Sequence, residues 1–289
     1  MEINMENMKE QQDANLYLVY ADFEFTCADR KEDWQDEQHM YEVLSIGLVI
    51  VKGQEEIDTF YRTVKPIYNP KLTSFCKELT RLTQEEIAGS KNLLEVLQEA
   101  NMFLEQYKPR QIYVFGSQDK EYLKRELYWH RKEWGEKNYK EAQRFVSKIT
   151  NIQYYICTRL LKEEINMSLL DCKELLNISG NVVHHALQDA RDLAAVDYYS
   201  KRRFIPAAVR QQYIDKKRQE MKYRQYRRVK QEAFVCNTEE DKTMFFIIKK
   251  VAAYIEQKNK EDKILDPLKA KAIEDDLLAL VQNENIYTN

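Results

Sequence analysis

Residues 16–25 of this 289-residue chain read Leu-Tyr-Leu-Val-Tyr-Ala-Asp-Phe-Glu-Phe. Apolar and aromatic strand-forming residues dominate the segment, which therefore predicts a β-strand. Because successive side chains of a strand point to opposite faces, Asp22 and Glu24 share one face while Phe23 and Phe25 face the core. Two neighbouring carboxylates in an apolar strand repel each other and require a cation. The alternative to a cation site is an edge strand whose polar face is solvated. For a lone Asp-x-Glu this alternative is the more frequent one, because such a short motif often occurs without a function.

Strand and helix patterns alternate through the residues that follow. Residues 43–51 form an apolar run of strand length, and residues 93–107 place apolar side chains at a helical period. The predicted strands are 43–51, 57–64, 111–115 and, as the weakest pattern, 145–152, and the predicted helices are 93–107, 118–130, 154–164, 167–176 and 182–199. Strands interleaved with helices are typical of a layered α/β domain, which we predict to end near Arg203.

The formal net charge of −3 hides an uneven distribution along the chain. Residues 201–230 contain twelve Lys and Arg against two acidic residues, with tyrosines between them. Such an arm could follow a phosphate backbone while its rings stack on bases, but long charged helices are also often simply solvated. After residue 231, apolar residues recur at helical spacing. We therefore predict a polar arm at residues 1–15, the α/β domain at 16–203 and an all-α appendage at 204–289.

Several classes of protein and site find no support in the sequence. The longest apolar run, residues 43–51, is far shorter than the roughly 18 residues of a membrane-spanning helix. Residues 1–15 carry four acidic residues and no apolar stretch, unlike a secretory signal. The five cysteines contain no Cys-x-x-Cys, and the six glycines form no phosphate-binding loop. We expect a cytoplasmic protein with reduced thiols and no membrane partner.

Two further acidic residues follow strand or helix patterns farther along the chain. Asp119 comes directly after the predicted strand at 111–115, where open α/β sheets tend to place their sites. An acid favoured by the dipole of a helix start is the simpler interpretation. Asp189 lies in the first part of a predicted helix, preceded by His184 and His185. Each of these residues, taken alone, could be an ordinary surface or capping residue.

Taken together, these residues match in order and spacing the three motifs of a known family. They resemble the DEDDh exonucleases, the DnaQ-like family of proofreading and RNA-trimming enzymes, through Asp22, Glu24, Asp119, His184 and Asp189. Residues 72–84 read Leu-Thr-Ser-Phe-Cys-Lys-Glu-Leu-Thr-Arg-Leu-Thr-Gln. This longer stretch resembles the branch that includes the bacterial KapD proteins and the eukaryotic histone-mRNA and small-RNA exonucleases. The resemblance covers residues 16–203 and implies a ribonuclease H-like fold, a mixed five-stranded sheet flanked by helices.

The resemblance implies a metal-dependent 3′–5′ exonuclease that releases nucleoside 5′-monophosphates from single-stranded 3′ ends. Hard oxygen ligands favour Mg²⁺ or Mn²⁺, and two such ions can clamp the attacking and leaving oxygens of a phosphoryl displacement. By resemblance, Asp22, Glu24 and Asp189 hold the ion that activates water, and Asp22 also reaches the second ion. Asp119 acts mostly through metal-bound water. His184 suits the general base, because imidazole exchanges protons near neutral pH, whereas His185 is a bystander.

The resemblance also implies substrate contacts. Thr26 matches the family position that meets the terminal 3′-hydroxyl, and Leu79 and Leu82 match residues that wedge against the terminal base. The alternative is that both leucines are core residues of a short helix. Relatives commonly have Gly where this chain has Arg81, so the lip of the pocket is altered or holds a phosphate. Residues 115–119 read Phe-Gly-Ser-Gln-Asp instead of the frequent Trp-Gly-Asp-x-Asp, although the essential acid remains.

The identity of the polymer and a non-enzymatic role both stay open. The prediction favours single-stranded RNA over DNA, but no quoted residue reads the 2′-hydroxyl, so a DNA exonuclease of the proofreading or repair type is an alternative. A KapD-like regulatory protein that uses the exonuclease fold is another. The complete set of acids and His184 argues against an inactive scaffold. The basic arm at 201–230 is a possible additional contact for nucleic acid.

Overall fold

Five strands form one mixed sheet in the first part of the chain. They are β1 (Leu18–Phe25), β2 (Val43–Lys52), β3 (Glu55–Thr63), β4 (Ile112–Val114) and β5 (Ile149–Asn151). Their spatial order is β3-β2-β1-β4-β5. The β1–β2 and β2–β3 pairs are antiparallel, while the β1–β4 and β4–β5 pairs are parallel. The predicted α/β class with a mixed five-stranded sheet is confirmed.

This computed structural model describes residues 17–180 and 184–234. The chain divides into two units, residues 1–205 and 206–289. The predicted polar arm at 1–15 and the helices predicted beyond residue 234 lie outside the described residues. Of the appendage, a helix at Ala207–Phe234 is described. None of the helices in the described ranges is both long and apolar enough to cross a membrane.

Helices of the first unit cover both sides of the sheet. The described helices of this unit are α1 (Ser74–Thr80), α2 (Gln84–Ala88), α3 (Leu93–Glu105), α4 (Gln118–Lys148), α5 (Gln153–Leu161), α6 (Leu169–Leu175) and α7 (Ala186–Ser200). The second unit contains α8 (Ala207–Phe234). Side chains of Thr73 and Thr83 cap the starts of α1 and α2 by accepting backbone N–H bonds. These short helices present the stretch 72–84 at the surface of the first unit.

One predicted strand is largely wrong. Residues 145–148 belong to α4, and only Ile149–Asn151 form a strand. Ala142, Phe145 and Val146 are buried at a helical spacing, which decides for helix. The helix predicted at 118–130 is therefore much longer. It is interrupted at Gly135, whose φ of 71° and ψ of 167° leave the helical region.

The core lies between one face of the sheet and helices α3 and α4. Val19, Ala21 and Phe23 of β1 are buried there with Leu123 and Leu127 of α4. Phe25 is partly buried against the same cluster. The expected core orientation of Phe23 and Phe25 is thus confirmed. Asp22 and Glu24 alternate with these residues and lie on the opposite face.

The start of α7 lies on that opposite face at unusually short range. Gly47 of β2 pairs with Asp22 of β1. A Cβ atom built on Gly47 would lie 2.3 Å from the carbonyl carbon of Ala186 and 2.3 Å from the backbone nitrogen of Leu187. Because both contacts are to backbone, no rotamer change could relieve them. Glycine at this position lets the first turn of α7 lie directly over Asp22.

Replacing Gly47 by alanine is expected to destabilise the protein by at least about 1–3 kcal/mol, since the added methyl group forces backbone apart. Differential scanning calorimetry should show a lower midpoint of thermal unfolding. Gly89→Ala is the matched control, because its Cβ would meet its nearest neighbour, the Glu85 carbonyl oxygen, at an ordinary 3.5 Å. Equal midpoints for the two variants would contradict the close-contact explanation.

Candidate active site

Two carboxylates lie at the carboxyl end of β1. Glu24 is buried and Asp22 is half-buried, and both are on the face covered by α7. Asp22 pairs with Gly47 and Glu24 with Ser45 in the antiparallel ladder. The strand register therefore fixes both carboxylates beside the start of α7.

Asp119 reaches the same region from β4. β4 is parallel to β1, so the carboxyl ends of these neighbouring strands meet at one edge of the sheet. The chain turns after β4 at Gly116, whose N–H donates to Asn151 Oδ1 at 2.9 Å. Asp119 then lies buried in the first turn of α4, where the helix dipole favours a negative charge.

Asp189 and His184 come from the start of α7. The backbone N–H of Asp189 donates to the carbonyl oxygen of His185 at 2.9 Å, and the Asp189 side chain is buried in the first helical turn. His184 precedes the helix, is exposed and has a φ of 49°, in the left-handed region. Possible ligand atoms of Glu24, His184 and Asp189 all lie within 4.8 Å of one another.

The carboxylates raise one another's pKa values. Burial, followed by repulsion from Asp119, Glu24 and Asp189, holds the pKa of Asp22 well above its usual range. Burial, followed by repulsion from Asp189 and Asp119, raises the pKa of Glu24 to about 8. Burial raises the pKa of Asp119 to about 7. The sequence-predicted acids thus form one buried acidic cluster, whose ionised form requires a compensating cation.

The donor set fits a divalent metal. Carboxylate oxygens are the ligands that Mg²⁺ and Mn²⁺ prefer, and a single imidazole lies beside them. Asp22, Glu24, Asp119 and Asp189 could hold such ions. Mutual repulsion among buried acids is the electrostatic condition that a bound cation relieves.

The two neighbouring histidines have different surroundings. His184 lies with Glu24 and Asp189, as described above. His185 is the residue before the first turn of α7, and its ring stacks on Tyr61 with centroids 4.6 Å apart. Its Nδ1 is buried and has no hydrogen-bond partner among the residues that the structure describes. His185 therefore packs against β3, whereas His184 is available to the acidic cluster.

The three residues predicted to contact substrate, Thr26, Leu79 and Leu82, lie near the acidic cluster. Two of them, Thr26 and Leu82, already make contacts within the protein. Thr26 is buried; its N–H donates to the Glu42 carbonyl oxygen at 2.7 Å, and its Oγ1 accepts from the Glu42 N–H at 2.9 Å. Leu79 is half-buried on α1, and Leu82 is 6% exposed in a small core cluster with Leu44 and Ile87. Leu82 therefore offers little surface to a base in this conformation.

Arg81 ends α1 in a left-handed conformation with a φ of 61°. Glycine adopts this conformation without steric cost, which explains why it suits the position in related sequences. Arg81 is exposed and its side chain extends from the end of α1.

Sequence reasoning missed the residue that fixes the loop beside Thr26. Glu42 is fully buried, and its carboxylate accepts N–H bonds from Ile67, Tyr68 and Asn69 at 2.6–2.9 Å. A glutamate before an apolar strand carries no local signal for this role, because its partners lie more than twenty residues away. Gly47 likewise carries no local signal, because the backbone it meets, at Ala186 and Leu187, lies more than a hundred residues later.

Comparison with known proteins adds a family match. The RNase_T family model, described as Exonuclease, matches residues 19–196. The chain is 30% identical over 107 residues to "Probable 3'-5' exonuclease KapD" of Bacillus subtilis, covering 37% of this chain and 51% of that protein. It is 31% identical over 90 residues to human "ERI1 exoribonuclease 3", covering 30% of this chain and 25% of that protein. The chain thus spans about half or less of the length of these curated relatives.

A solved structure shares the fold. It is described as "3'-end specific recognition of histone mRNA stem-loop by 3'-exonuclease", with a TM-score of 0.51 and 19% identity. The superposition covers 69% of this chain and 72% of that one. The predicted ribonuclease H-like architecture is confirmed by this likeness.

The raised pKa values predict how stability depends on pH in the metal-free protein. The folded-state pKa values of Glu24, about 8, and Asp119, about 7, exceed those of an unfolded chain, about 4.3 and about 3.9. The folded state therefore binds these protons more tightly. Their contribution to stability is complete below the unfolded values and is lost as the pH rises through the folded ones. We expect the unfolding midpoint to fall between about pH 5 and about pH 8.

Thermal unfolding in EDTA across this range checks the expectation. Glu24→Gln should flatten the profile, because it removes one of the repelling carboxylates, while Glu105→Gln at the exposed end of α3 should not. Adding Mg²⁺ should raise the midpoint most at the high-pH end. An identical slope in wild type and Glu24→Gln would contradict the predicted repulsion.

Proposed function

Because this chain belongs to the RNase_T family of exonucleases, we propose that it removes nucleotides one at a time from the 3′ ends of single-stranded nucleic acid. The observation that carries the proposal is the buried acidic cluster of Asp22, Glu24, Asp119 and Asp189, with His184 beside it. The proposed exonuclease domain is residues 16–203, with residues 204–289 as an appendage.

The acids would hold divalent ions, Mg²⁺ or Mn²⁺, which when bound would supply Lewis-acid stabilisation of charge on the phosphate. Asp22, Glu24 and Asp189 come together through the register of β1 with β2 and the packing of α7 on Gly47. Asp119 completes the set from the start of α4. The chain's own contribution is to fix these oxygens before substrate arrives, so that no reorganisation is needed during the reaction.

His184 acts as the general base in this proposal. Its ring lies within 4.8 Å of Glu24 and Asp189 ligand atoms and is exposed, so a water molecule can reach it. One ring nitrogen accepts the proton of the attacking water, and the exposed position lets the proton pass to solvent afterwards. The products are a nucleoside 5′-monophosphate and a strand one nucleotide shorter with a new 3′-hydroxyl.

RNA is the favoured polymer. The support is that the human relative is named an exoribonuclease, and that stretch 72–84 resembles the branch of RNA exonucleases. DNA stays the alternative substrate. A regulatory role on an exonuclease fold would be the interpretation if no polymer were hydrolysed.

Other substrate contacts are proposed near the acidic cluster. Thr26 meets the terminal sugar, and Leu79 and Leu82 meet the terminal base, Leu82 through the small part of its side chain that is exposed.

The basic arm at 201–230, most of which belongs to the second unit, offers a further phosphate contact, because it carries twelve Lys and Arg residues against two acids. Contacts of this kind read no base sequence.

Purified protein is expected to shorten end-labelled single-stranded RNA from its 3′ end, one nucleotide at a time, in Mn²⁺ or Mg²⁺ but not in EDTA. Asp22→Asn and Asp189→Asn should each lower kcat by about a thousandfold, since a lost metal ligand costs several kcal/mol of transition-state stabilisation. Glu105→Gln is the control for loss of one carboxylate. DNA of the same sequence tests the alternative. Equal activity in all variants would point to a contaminating nuclease, and no hydrolysis of either polymer would overturn the proposal.

His184→Ala is expected to lower kcat by about 10²–10⁴-fold with little change in KM, as for loss of a general base. His185→Ala provides the neighbouring control and should keep the wild-type kcat, because its ring packs on Tyr61. The role of His184 would be contradicted if His184→Ala also kept the wild-type kcat, or if both variants lost it equally.

A further inference from the structure

A continuous surface of aromatic rings lies beside the acidic cluster. We define this aromatic surface as Trp34, His39, Tyr41, Tyr122, Arg125 and Trp129. Tyr41 stacks on Tyr122 with centroids 4.6 Å apart and an interplanar angle of 8°. Trp34 contacts Tyr41 at 5.3 Å, and His39 contacts Trp129 at 4.8 Å. The loop before β2 and the first half of α4 therefore build it together.

Arg125 joins the two halves of this surface. Its guanidinium lies 5.7 Å, 4.9 Å and 5.5 Å from the ring centroids of Tyr41, Tyr122 and Trp129. It also donates a hydrogen bond to the Met40 carbonyl oxygen at 2.9 Å. These contacts hold the cation at the surface in a fixed position, where its side chain remains exposed.

The rings are not part of the hydrophobic core. In the first half of α4, the side chains that belong to the core are Leu123 and Leu127, which are buried in the cluster that includes β1. Every ring of the aromatic surface is only partly buried. Tyr128, in the same stretch of α4, is 66% exposed. Several neighbouring large aromatic side chains that stay partly exposed to solvent indicate a binding surface.

The aromatic surface begins one helical turn from the candidate active site, because Tyr122 follows Asp119 by three residues in α4. The Tyr122 ring is held at the end of β1 by an edge contact with Phe25 at 5.2 Å. α4 rises about 1.5 Å per residue, so Trp129 lies about 15 Å along the helix from Asp119. A strand whose 3′ end reached the acids could therefore lie across these rings.

The cations of this surface lie on α4, and most acids of the facing loop are paired within the loop. The exposed side of the helical stretch carries Lys124, Arg125, Arg131 and Lys132 against Glu121 and Glu133, and Arg131 is paired with Glu136 at 3.7 Å. The facing loop is acidic, but its acids other than Asp29 form ion pairs there: Glu32 and Asp33 with Arg30, Asp36 with His39 and Glu37 with Lys31. The positive charge beside the rings is therefore that of α4, with Arg125 in contact with them. Aromatic rings with interleaved cations are the chemistry that binds single-stranded nucleic acid without base preference.

We propose that the aromatic surface binds the nucleotides on the 5′ side of the terminal one, with bases on its rings and a phosphate at Arg125. The inference rests on the proposed exonuclease function and adds to it a second binding region, apart from the basic arm. Such a region makes affinity depend on strand length, whereas a dinucleotide occupies little beyond the acidic cluster. The rival occupant is a protein, because aromatic residues and Arg are also enriched at protein interfaces.

Kinetics on a decamer and on a dinucleotide with the same 3′ end test the proposal. Arg125→Glu and the double variant Tyr41→Leu/Tyr122→Leu should each raise KM for the decamer by about tenfold or more. They should leave its kcat and the hydrolysis of the dinucleotide unchanged. Arg110→Glu and Tyr17→Leu are the matched controls, since these exposed residues lie before β4 and β1, at the edge away from the acids. Equal loss on both substrates, or an unchanged decamer KM, would overturn the proposal.

A second measurement keeps the two proposals separate. The chain has three tryptophans, at 34, 129 and 134, so intrinsic fluorescence reports on this region. A decamer titrated in EDTA should quench wild-type fluorescence, and Arg125→Glu should require a concentration about tenfold higher. Quenching without hydrolysis would overturn the exonuclease function and retain the binding surface. Unchanged fluorescence at saturating decamer would overturn the binding surface and leave a protein as its occupant.

Discussion

The contact between the start of α7 and Gly47 is the constraint on which the candidate site depends. Asp22 and Glu24 belong to a strand, whereas His184 and Asp189 lie just before and in the first turn of a helix more than 150 residues later in the sequence. Direct backbone contact at Gly47 brings that turn onto the sheet. The absence of a methyl group at Gly47 therefore lets Asp189 and His184 join the carboxylates of β1.

The cluster itself opposes folding. Burial and mutual repulsion raise the pKa values of its acids, so their ionised form is disfavoured in the metal-free protein. The opposite face of the same strand compensates, because Val19, Ala21 and Phe23 are buried in the core under α3 and α4. β1 thus has an apolar face that stabilises the fold and an acidic face whose buried carboxylates destabilise it. A bound cation would reduce the repulsion among these carboxylates.

Local patterns made much of this structure predictable. Alternation in β1 and the helical period of α3 depend on neighbouring residues, and the order of the acids matches a family motif. The missed features depend on distant partners instead. Glu42 bonds to residues 67–69, and α4 continues to Lys148 because Ala142, Phe145 and Val146 meet the core. The roles of Thr26, Leu79 and Leu82 stay predictions; in the structure Thr26 bonds to the backbone of Glu42, and Leu82 packs in a core cluster.

At His184, the backbone conformation that lowers stability and the side chain proposed for catalysis belong to the same residue. A φ of 49° costs a residue with a Cβ atom more free energy than it costs glycine. Selection for heat resistance alone would therefore favour glycine at this position, while the proposed role as general base would retain histidine. Among variants selected only for stable folding, this position should accumulate substitutions that leave a well-packed protein without the proposed activity.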